Sequence, residues 1–153
     1  MTDVCTLFLD FDGVLHPVDA ATFDNAGRLM ADPRLFTWLP VLADIVAPHP
    51  EVRIVVSSDW RRLLDDDNLK RVLGSLGPRF AGVVETWGAS RAAEILEEVR
   101  RRRLSHWLAL DDHPSVEKAS RHDARFIVCA PDSGLSAPAV QASLRARLAA
   151  MLY

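Results

Sequence analysis

The feature that most constrains the fold is a regular alternation of short apolar runs with helical patterns. Five runs have the length and character of buried strands, at residues 4–10, 52–58, 80–87, 106–112 and 125–131. Helical patterns occupy residues 35–46, 63–73, 92–102, 115–121 and 139–152. Continuous apolar runs suit strands that are covered on both faces. The alternation therefore predicts an α/β fold, in which a parallel sheet of about five strands carries helices on both faces.

Length and composition favour one domain. The chain has 153 residues, of which 49% are hydrophobic, and it contains no repeat, low-complexity tract or linker-like segment. We therefore expect a single domain over residues 1–153. The formal net charge of −3 means that any nucleic-acid contact would need a local basic patch. Because no apolar run could span a membrane and the start lacks a signal-peptide pattern, we expect a cytoplasmic protein with no membrane partner.

Polar side chains follow three of the five predicted strands. The strand ends carry Asp10 and Asp12, Ser57 and Ser58, and Asp111 and Asp112, while Arg91 begins the helix before the fourth strand. In an open α/β sheet the binding crevice lies beyond the carboxyl ends of the strands, so these groups should meet there. Residues i and i+2 of an extended segment point the same way, which lets Asp10 and Asp12 face one substrate. Gly13 then lets the backbone bend away.

Four carboxylates at one edge of the sheet would repel one another in a crevice of low polarity. A hard divalent cation with oxygen ligands relieves such repulsion, so we expect Mg²⁺ as cofactor, with ligands drawn from Asp10, Asp12, Asp111 and Asp112. If a metal holds a phosphate oxygen, one carboxylate can attack phosphorus and another can move the proton. Serine and arginine side chains would bind the transferring phosphoryl group.

Four segments in this order, "DFDGVLHP", "IVVSSDW", "SRAAEIL" and "LALDDHP", resemble the four signatures of the haloacid dehalogenase (HAD) superfamily of phosphohydrolases. The resemblance implies that Asp10 is the nucleophile, which forms an aspartyl-phosphate. It implies that Asp12 is the acid/base, which protonates the leaving oxygen and later activates water. Asp112 is expected to complete the Mg²⁺ shell and Asp111 to support it, with the main-chain carbonyl of Asp12 as a further ligand.

The same resemblance assigns the phosphate-binding groups. Ser57 matches the hydroxyl that holds the phosphoryl group, and Ser58 replaces it if the second strand ends one residue later. Arg91 occupies the position where lysine is usual in the superfamily. Arginine keeps the positive charge and can bind phosphate through two parallel hydrogen bonds.

Within the superfamily, "LFLDFDGVLHP" together with "VVSSDWR" most resembles the small HAD domain of Swiss Army Knife RNA repair proteins. This implies a three-layer, Rossmann-like sheet in the order 3-2-1-4-5 and favours a phosphorylated polynucleotide end as substrate. In "SSDWRR", Trp60 could stack on a base, while Arg61 and Arg62 could contact neighbouring phosphates. The alternative is that Trp60 packs in the interior and both arginines are solvated. The gaps between strands are too short for a large cap domain, although a flap at residues 16–29 could shape the crevice.

Several other functions fit the sequence less well. No phosphate-binding loop with its lysine and no GxGxxG motif is found, which argues against a P-loop NTPase or a Rossmann dehydrogenase. A small-molecule or phosphoprotein phosphatase stays open, as does a catalytically silent module that binds phosphate or nucleic-acid ends. The oligomeric state stays open too. We expect His16 to have a loop role without catalysis, and Trp87 to pack in the core or at its edge.

Overall fold

The computed structural model describes residues 4–152, which form an α/β fold around one parallel sheet. The strands are β1 (Cys5–Leu9), β2 (Val52–Val56), β3 (Phe80–Val83), β4 (Trp107–Asp111) and β5 (Phe126–Val128). They lie in the order β3-β2-β1-β4-β5, and every neighbouring pair is parallel. The predicted strand order and the predicted parallel sheet are confirmed.

Helices cover both faces of this sheet. They are α1 (Leu39–Val46), α2 (Asp66–Val72), α3 (Arg91–Arg102), α4 (Pro114–Ser120) and α5 (Pro138–Leu152), with short 3-10 helices at Asp59–Arg62, Gly74–Arg79 and Gly134–Ser136. Successive residues of β1 face opposite layers, since Leu7 packs in the core beneath α1 and α5 whereas Phe8 packs beneath α3 and α4. All five residues of β1 are buried, because helices cover the strand on both faces.

Several predicted element ends differ from the structure, among them the end of the fifth strand, which lies at Val128 and not at residue 131. The first helix begins at Leu39 and not at residue 35, because Phe36 has a φ of 55° and lies in the left-handed region, which cannot continue an α-helix. The second helix begins at Asp66, because the Asp65 side chain accepts a hydrogen bond from the Asn68 backbone N–H at 2.9 Å and caps it. The third strand ends at Val83, which leaves Trp87 in the following loop.

The segment between β1 and β2 contains α1 and a small flap in place of a cap domain. In this flap Phe23 and Leu29 form an isolated antiparallel bridge, and the Met30 backbone N–H donates to the Thr22 carbonyl at 2.8 Å. Residues 10–51 therefore contribute one helix and a small flap beside the carboxyl edge of the sheet. Within residues 4–152, no helix combines the length and the apolar character that crossing a membrane requires.

Candidate active site

The centre of the site is Asp10, which directly follows β1. Its backbone N–H donates to the Leu110 carbonyl at 3.1 Å, so the sheet ladder fixes the position of the residue. Its side chain is almost completely buried, and one oxygen each of Asp10, Asp111 and Asp112 lies within 4.8 Å of the others. Two neighbouring strand ends thus bring three of the four predicted carboxylates together. The Asp12 side chain does not belong to this acidic group.

Burial and mutual repulsion oppose ionisation of this acidic group. Burial raises the pKa of Asp10 well above its usual value, the Asp111 carboxylate raises it further, and the Arg91 guanidinium partly offsets both effects. Burial also raises the pKa of Asp112. A cluster of carboxylate oxygens that is short of positive charge has the donor chemistry that Mg²⁺ requires. The residues therefore fit the expected metal.

Arg91 supplies positive charge to the acidic group. Its Nη1 lies 2.8 Å from Asp111 Oδ2 and 3.4 Å from Asp10 Oδ1, and its Nη2 lies 3.3 Å from Asp59 Oδ1. Burial lowers the pKa of the Arg91 guanidinium, but Asp111 and Asp10 raise it by more, so the group stays charged. Ser90 caps α3 by accepting from the Ala93 N–H, which fixes the start of the helix and hence the Arg91 side chain. Arginine thus lies between carboxylates, at the position where the resemblance implies lysine.

The two acidic residues after β4 have different surroundings. Asp111 is fully buried, with Oδ2 bound by Arg91 and Oδ1 accepting from the His113 backbone N–H at 2.9 Å. Asp112 is only partly buried, and its carboxylate lies against the Gly13 backbone. Both oxygens of Asp111 therefore already have partners. The roles of Asp112 as direct metal ligand and of Asp111 as its support stay predictions.

Gly13 is required where the chain turns away from Asp12. Its φ is 76°, a value that side chains disfavour. A Cβ at this position would lie 2.2 Å from Asp112 Oδ2, well inside van der Waals contact. The glycine therefore permits both the turn and the approach of the Asp112 carboxylate.

The structure distinguishes the two serines after β2. Ser57 is fully buried, and its Oγ has no hydrogen-bond partner among residues 4–152. Ser58 Oγ accepts from the Trp60 backbone N–H at 3.2 Å and caps the 3-10 helix Asp59–Arg62. A buried hydroxyl without a partner costs free energy unless a ligand satisfies it. Ser57 is therefore the better candidate for phosphate binding, and Ser58 has a structural role.

Asp12 turns away from the acidic group towards two aromatic side chains. Its Oδ1 lies 2.7 Å from His16 Nε2 and accepts from the Trp60 indole N–H at 3.1 Å. The carboxylate is 36% exposed, so it can still reach a substrate. Sequence reasoning missed both partners of Asp12. The i,i+4 spacing of Asp12 and His16 in "DGVLH" was the one local signal that could have indicated the first.

Two residues of "SSDWRR" differ from their expected placement. Trp60 is only 1% exposed, so it packs in the interior and the alternative that it stacks on a base is wrong. The Arg61 guanidinium is also buried, and it donates to the carbonyls of Ser57 and Ser58 and to Glu94 Oε2 at 3.1 Å. The structure therefore places Arg61 as an internal link between the end of β2 and α3, and not on the surface.

The exposed aromatic side chain beside the site is Trp87. It is 58% exposed, which contradicts the expected packing in the core or at its edge. The exposed Arg62 guanidinium lies 4.0 Å from the centre of the Trp87 ring, and the buried Arg61 guanidinium lies 4.6 Å from it. Asp59 connects this surface to the acidic group, since its Oδ1 lies 3.9 Å from Arg62 and 3.3 Å from Arg91.

The comparison with protein families agrees with this geometry. The family of HAD domains in Swiss Army Knife RNA repair proteins matches residues 6–140, a range that contains the acidic group, both serines and Arg91. No curated protein and no solved structure matches the chain. With a five-stranded parallel sheet of the expected order and the family match over most of its length, this chain belongs to the HAD domains of Swiss Army Knife RNA repair proteins.

Proposed function

We propose that this protein hydrolyses phosphate monoesters through an aspartyl-phosphate formed on Asp10. The observation that carries the proposal is the contrast between two carboxylates on one turn of chain. Asp10 lies in the acidic group next to Arg91, whereas Asp12 lies outside it with a side chain that is 36% exposed. Nucleophilic attack and proton transfer need two such groups in separate surroundings.

Asp10 and Asp112 would hold Mg²⁺, with Asp111 and Arg91 supporting them. When bound, the metal would supply Lewis-acid stabilisation of a phosphate oxygen and would neutralise part of the acidic group. Family membership and the raised pKa of Asp10 support this proposal.

The chain's own side chains divide the remaining work. An Asp10 oxygen attacks phosphorus, and the bond between phosphorus and the leaving oxygen breaks as Asp12 donates a proton to that oxygen. The Ser57 hydroxyl, which lacks an internal partner, donates a hydrogen bond to a phosphoryl oxygen. Asp12, now ionised, takes a proton from a water molecule that attacks the phosphorus and releases phosphate from Asp10.

The substrate class that we propose is a phosphorylated polynucleotide end. The family's association with RNA repair supports this class, as does a crevice that only a small flap borders. Arg62 stays a candidate contact and Trp87 replaces Trp60, because an exposed aromatic ring and an exposed guanidinium are the groups that hold single-stranded nucleic acid.

A substrate comparison tests both parts of the proposal. In Mg²⁺, phosphorylated oligonucleotides should be hydrolysed with far higher kcat/KM than mononucleotides, and excess chelator should abolish turnover. Trp87→Ala and Arg62→Ala should each slow the oligonucleotide reaction and leave a small aryl phosphate unchanged. The Arg62 variant should also weaken its salt dependence. The control is Arg100→Ala, because Arg100 is also exposed but pairs with Glu97 near the C-terminal end of α3, at the opposite end of that helix from Arg91.

Other outcomes favour the alternatives. Equal rates on mononucleotides and oligonucleotides would leave a small-molecule or phosphoprotein phosphatase. Binding of phosphorylated ends without turnover, in the presence of Mg²⁺, would identify a catalytically silent binding module. Full activity in excess chelator would remove the metal from the proposal.

A further inference from the structure

Two buried aromatic rings bind the same oxygen of Asp12. His16 is fully buried and Trp60 nearly so, and each places a ring nitrogen within hydrogen-bond distance of Asp12 Oδ1. No contact of this kind is found for Asp12 Oδ2 among residues 4–152. The carboxylate is therefore held on one side and free on the other.

The backbone fixes which nitrogen of His16 carries the proton. His16 Nδ1 lies 3.2 Å from the Phe36 backbone nitrogen, whose N–H can only donate, so Nδ1 is the acceptor. The proton of the neutral ring is then on Nε2, which donates to Asp12 Oδ1. The Phe36 ring also packs edge-on against His16, with a centroid distance of 5.0 Å, so Phe36 contacts the histidine through both its backbone and its side chain.

Packing fixes the indole of Trp60 in the same way. Its ring lies edge-on against Phe11, Phe23 and Phe36, with centroid distances of 5.4, 5.5 and 5.3 Å. Edge-on aromatic pairs of this kind are favourable and keep the ring orientation defined. Phe23 belongs to the flap, so this cluster also joins the flap to Asp12.

We propose that His16 and Trp60 are positioning residues for the acid/base Asp12, and that Oδ2 is the atom that exchanges the proton with the leaving oxygen. This inference rests on the proposed function. The two N–H donors occupy Oδ1 and hold the plane of the carboxylate. Oδ2 then has one orientation towards the crevice, which a freely rotating aspartate would lack. A general acid accelerates the reaction only when it lies within hydrogen-bond reach of the atom that it protonates.

The inference makes a prediction that depends on the leaving group. An alkyl leaving oxygen is strongly basic and needs a proton as the bond breaks, whereas a nitrophenolate leaves without one. Misplacing Asp12 should therefore slow alkyl phosphates much more than nitrophenyl phosphate. A loss of general structural integrity would slow both alike.

The test compares Trp60→Phe with Trp107→Phe. Both replace a buried tryptophan and keep an aromatic ring, but Trp60 donates to Asp12 whereas the Trp107 N–H has no partner among residues 4–152. We expect Trp60→Phe to lower kcat/KM for an alkyl phosphate by roughly tenfold or more, as partial loss of a general acid would, and to leave nitrophenyl phosphate within about twofold. Trp107→Phe should not change the ratio of the two rates. Equal losses on both substrates, an unchanged alkyl rate, or the same ratio change in Trp107→Phe would overturn the inference.

His16 provides an independent pair of variants. Glutamine can place its amide nitrogen near the position of Nε2 and so keep the donor to Asp12, whereas asparagine keeps only the shorter reach towards Phe36. His16→Gln should retain most of the alkyl phosphatase activity and His16→Asn should lose it. The reverse order would contradict the proposed contact.

A spectroscopic measurement separates this inference from the proposed function. The indole N–H resonance of Trp60, identified by its loss in Trp60→Phe, should shift in Asp12→Asn, while that of Trp107 should not. If the wild-type protein turns over no phosphate monoester, the proposed function fails, whatever the resonance does. If the resonance of Trp60 does not respond to Asp12→Asn, the positioning inference fails even in an active enzyme.

Discussion

Asp10 and Asp12 are separated by one residue, yet their side chains lie in opposite surroundings. Asp10 is buried among the carboxylates of Asp111 and Asp112, with Arg91 beside it, and burial raises its pKa well above the usual value. Asp12 is partly exposed, and its contacts are two neutral N–H donors from aromatic rings. Charged side chains surround Asp10, whereas neutral hydrogen-bond donors in fixed positions hold Asp12.

The difference shows how one strand end can supply two chemical roles. A nucleophilic carboxylate has to be ionised, and because burial raises the pKa of Asp10, ionisation there would need the cation of the proposed metal site in addition to Arg91. A proton-transfer group has to change its protonation state during the reaction, so it is better held by neutral donors than by a full positive charge. Because residues i and i+2 of an extended segment point the same way, it is the contacts of each side chain, and not the alternation along the strand, that place Asp10 and Asp12 in these two environments.

The largest expected effect is the loss of turnover in Asp10→Asn. Asparagine keeps the size of the side chain but cannot attack phosphorus, so kcat/KM should fall by more than about a thousandfold on every substrate. Asp12→Asn should instead lower kcat/KM less for nitrophenyl phosphate than for alkyl phosphates, although its turnover should stop at the phosphorylated enzyme. Parallel losses in the two variants across all leaving groups would remove the proposed division between the regions. Circular dichroism of each variant checks that the fold is retained.

Gly13→Ala should abolish activity through the Asp10 side of the site. The new Cβ would displace the Asp112 carboxylate, which lies 2.2 Å from its position, and would also strain the backbone. Gly27→Ala is the matched control, because Gly27 has almost the same φ of 77° and nothing lies within 4 Å of its Cβ position. The control should cost only the strain of about 1–2 kcal/mol in the free energy of unfolding and keep its activity. Similar activities in the two variants would show that the Asp112 position does not matter.

Alanine substitutions of the two serines should have different effects on kcat/KM and on the free energy of unfolding. Ser57→Ala should lower kcat/KM roughly ten- to a thousandfold, by analogy with a lost oxyanion donor. The free energy of unfolding should be unchanged or slightly higher, since an unpartnered buried hydroxyl is removed. Ser58→Ala removes a cap and should cost about 1 kcal/mol of stability with a smaller effect on rate. Denaturant unfolding and steady-state kinetics of both variants measure this, and the reversed pattern would assign phosphate binding to Ser58.

The smallest expected effect is a pH-dependent change in stability without metal. Unfolding returns Asp10 from its raised pKa to an ordinary value near 3.8, so the folded protein binds its proton more tightly. In chelator, the free energy of unfolding contributed by Asp10 should therefore fall as the pH rises from about 4 through the raised pKa. Asp10→Asn removes this loss, so the variant should be more stable than the wild type at neutral pH and no more stable below about pH 4. Thermal unfolding across this range measures the difference, and a wild type that is the more stable protein at neutral pH would contradict it.

The two regions also differ in how far the sequence predicts them. The acidic group and the phosphate-binding serine lie at the ends of apolar strand runs, and the parallel sheet alone brings these ends to one edge. The residues concerned are Asp10, Ser57, Asp111 and Asp112. The partners of Asp12 depend on how residues 16–38 and the 3-10 helix after β2 fold back over the site. That return path rests on long-range aromatic packing and on a left-handed Phe36, which no periodic pattern encodes.

The sequence also failed to predict which side chains near the site are exposed. "SSDWRR" reads as a polar loop, yet Trp60 and Arg61 are buried because one binds Asp12 and the other joins β2 to α3. Trp87 lies just beyond the short strand β3, and the extra residues of its apolar run suggested burial that the loop does not provide.

The central claim is that Asp10 accepts the phosphoryl group while Asp12 moves the protons. The most direct measurement is a rapid-quench experiment with nitrophenyl phosphate, followed by mass spectrometry of the protein, on wild type, Asp10→Asn and Asp12→Asn. Asp12→Asn should release nitrophenolate in a burst that approaches one equivalent and should accumulate a phosphoryl group on Asp10, because the group that activates water is missing. Asp10→Asn should show neither the burst nor the modification. A phosphoryl group on another residue, or turnover by the wild type with no covalent intermediate in either variant, would contradict the account.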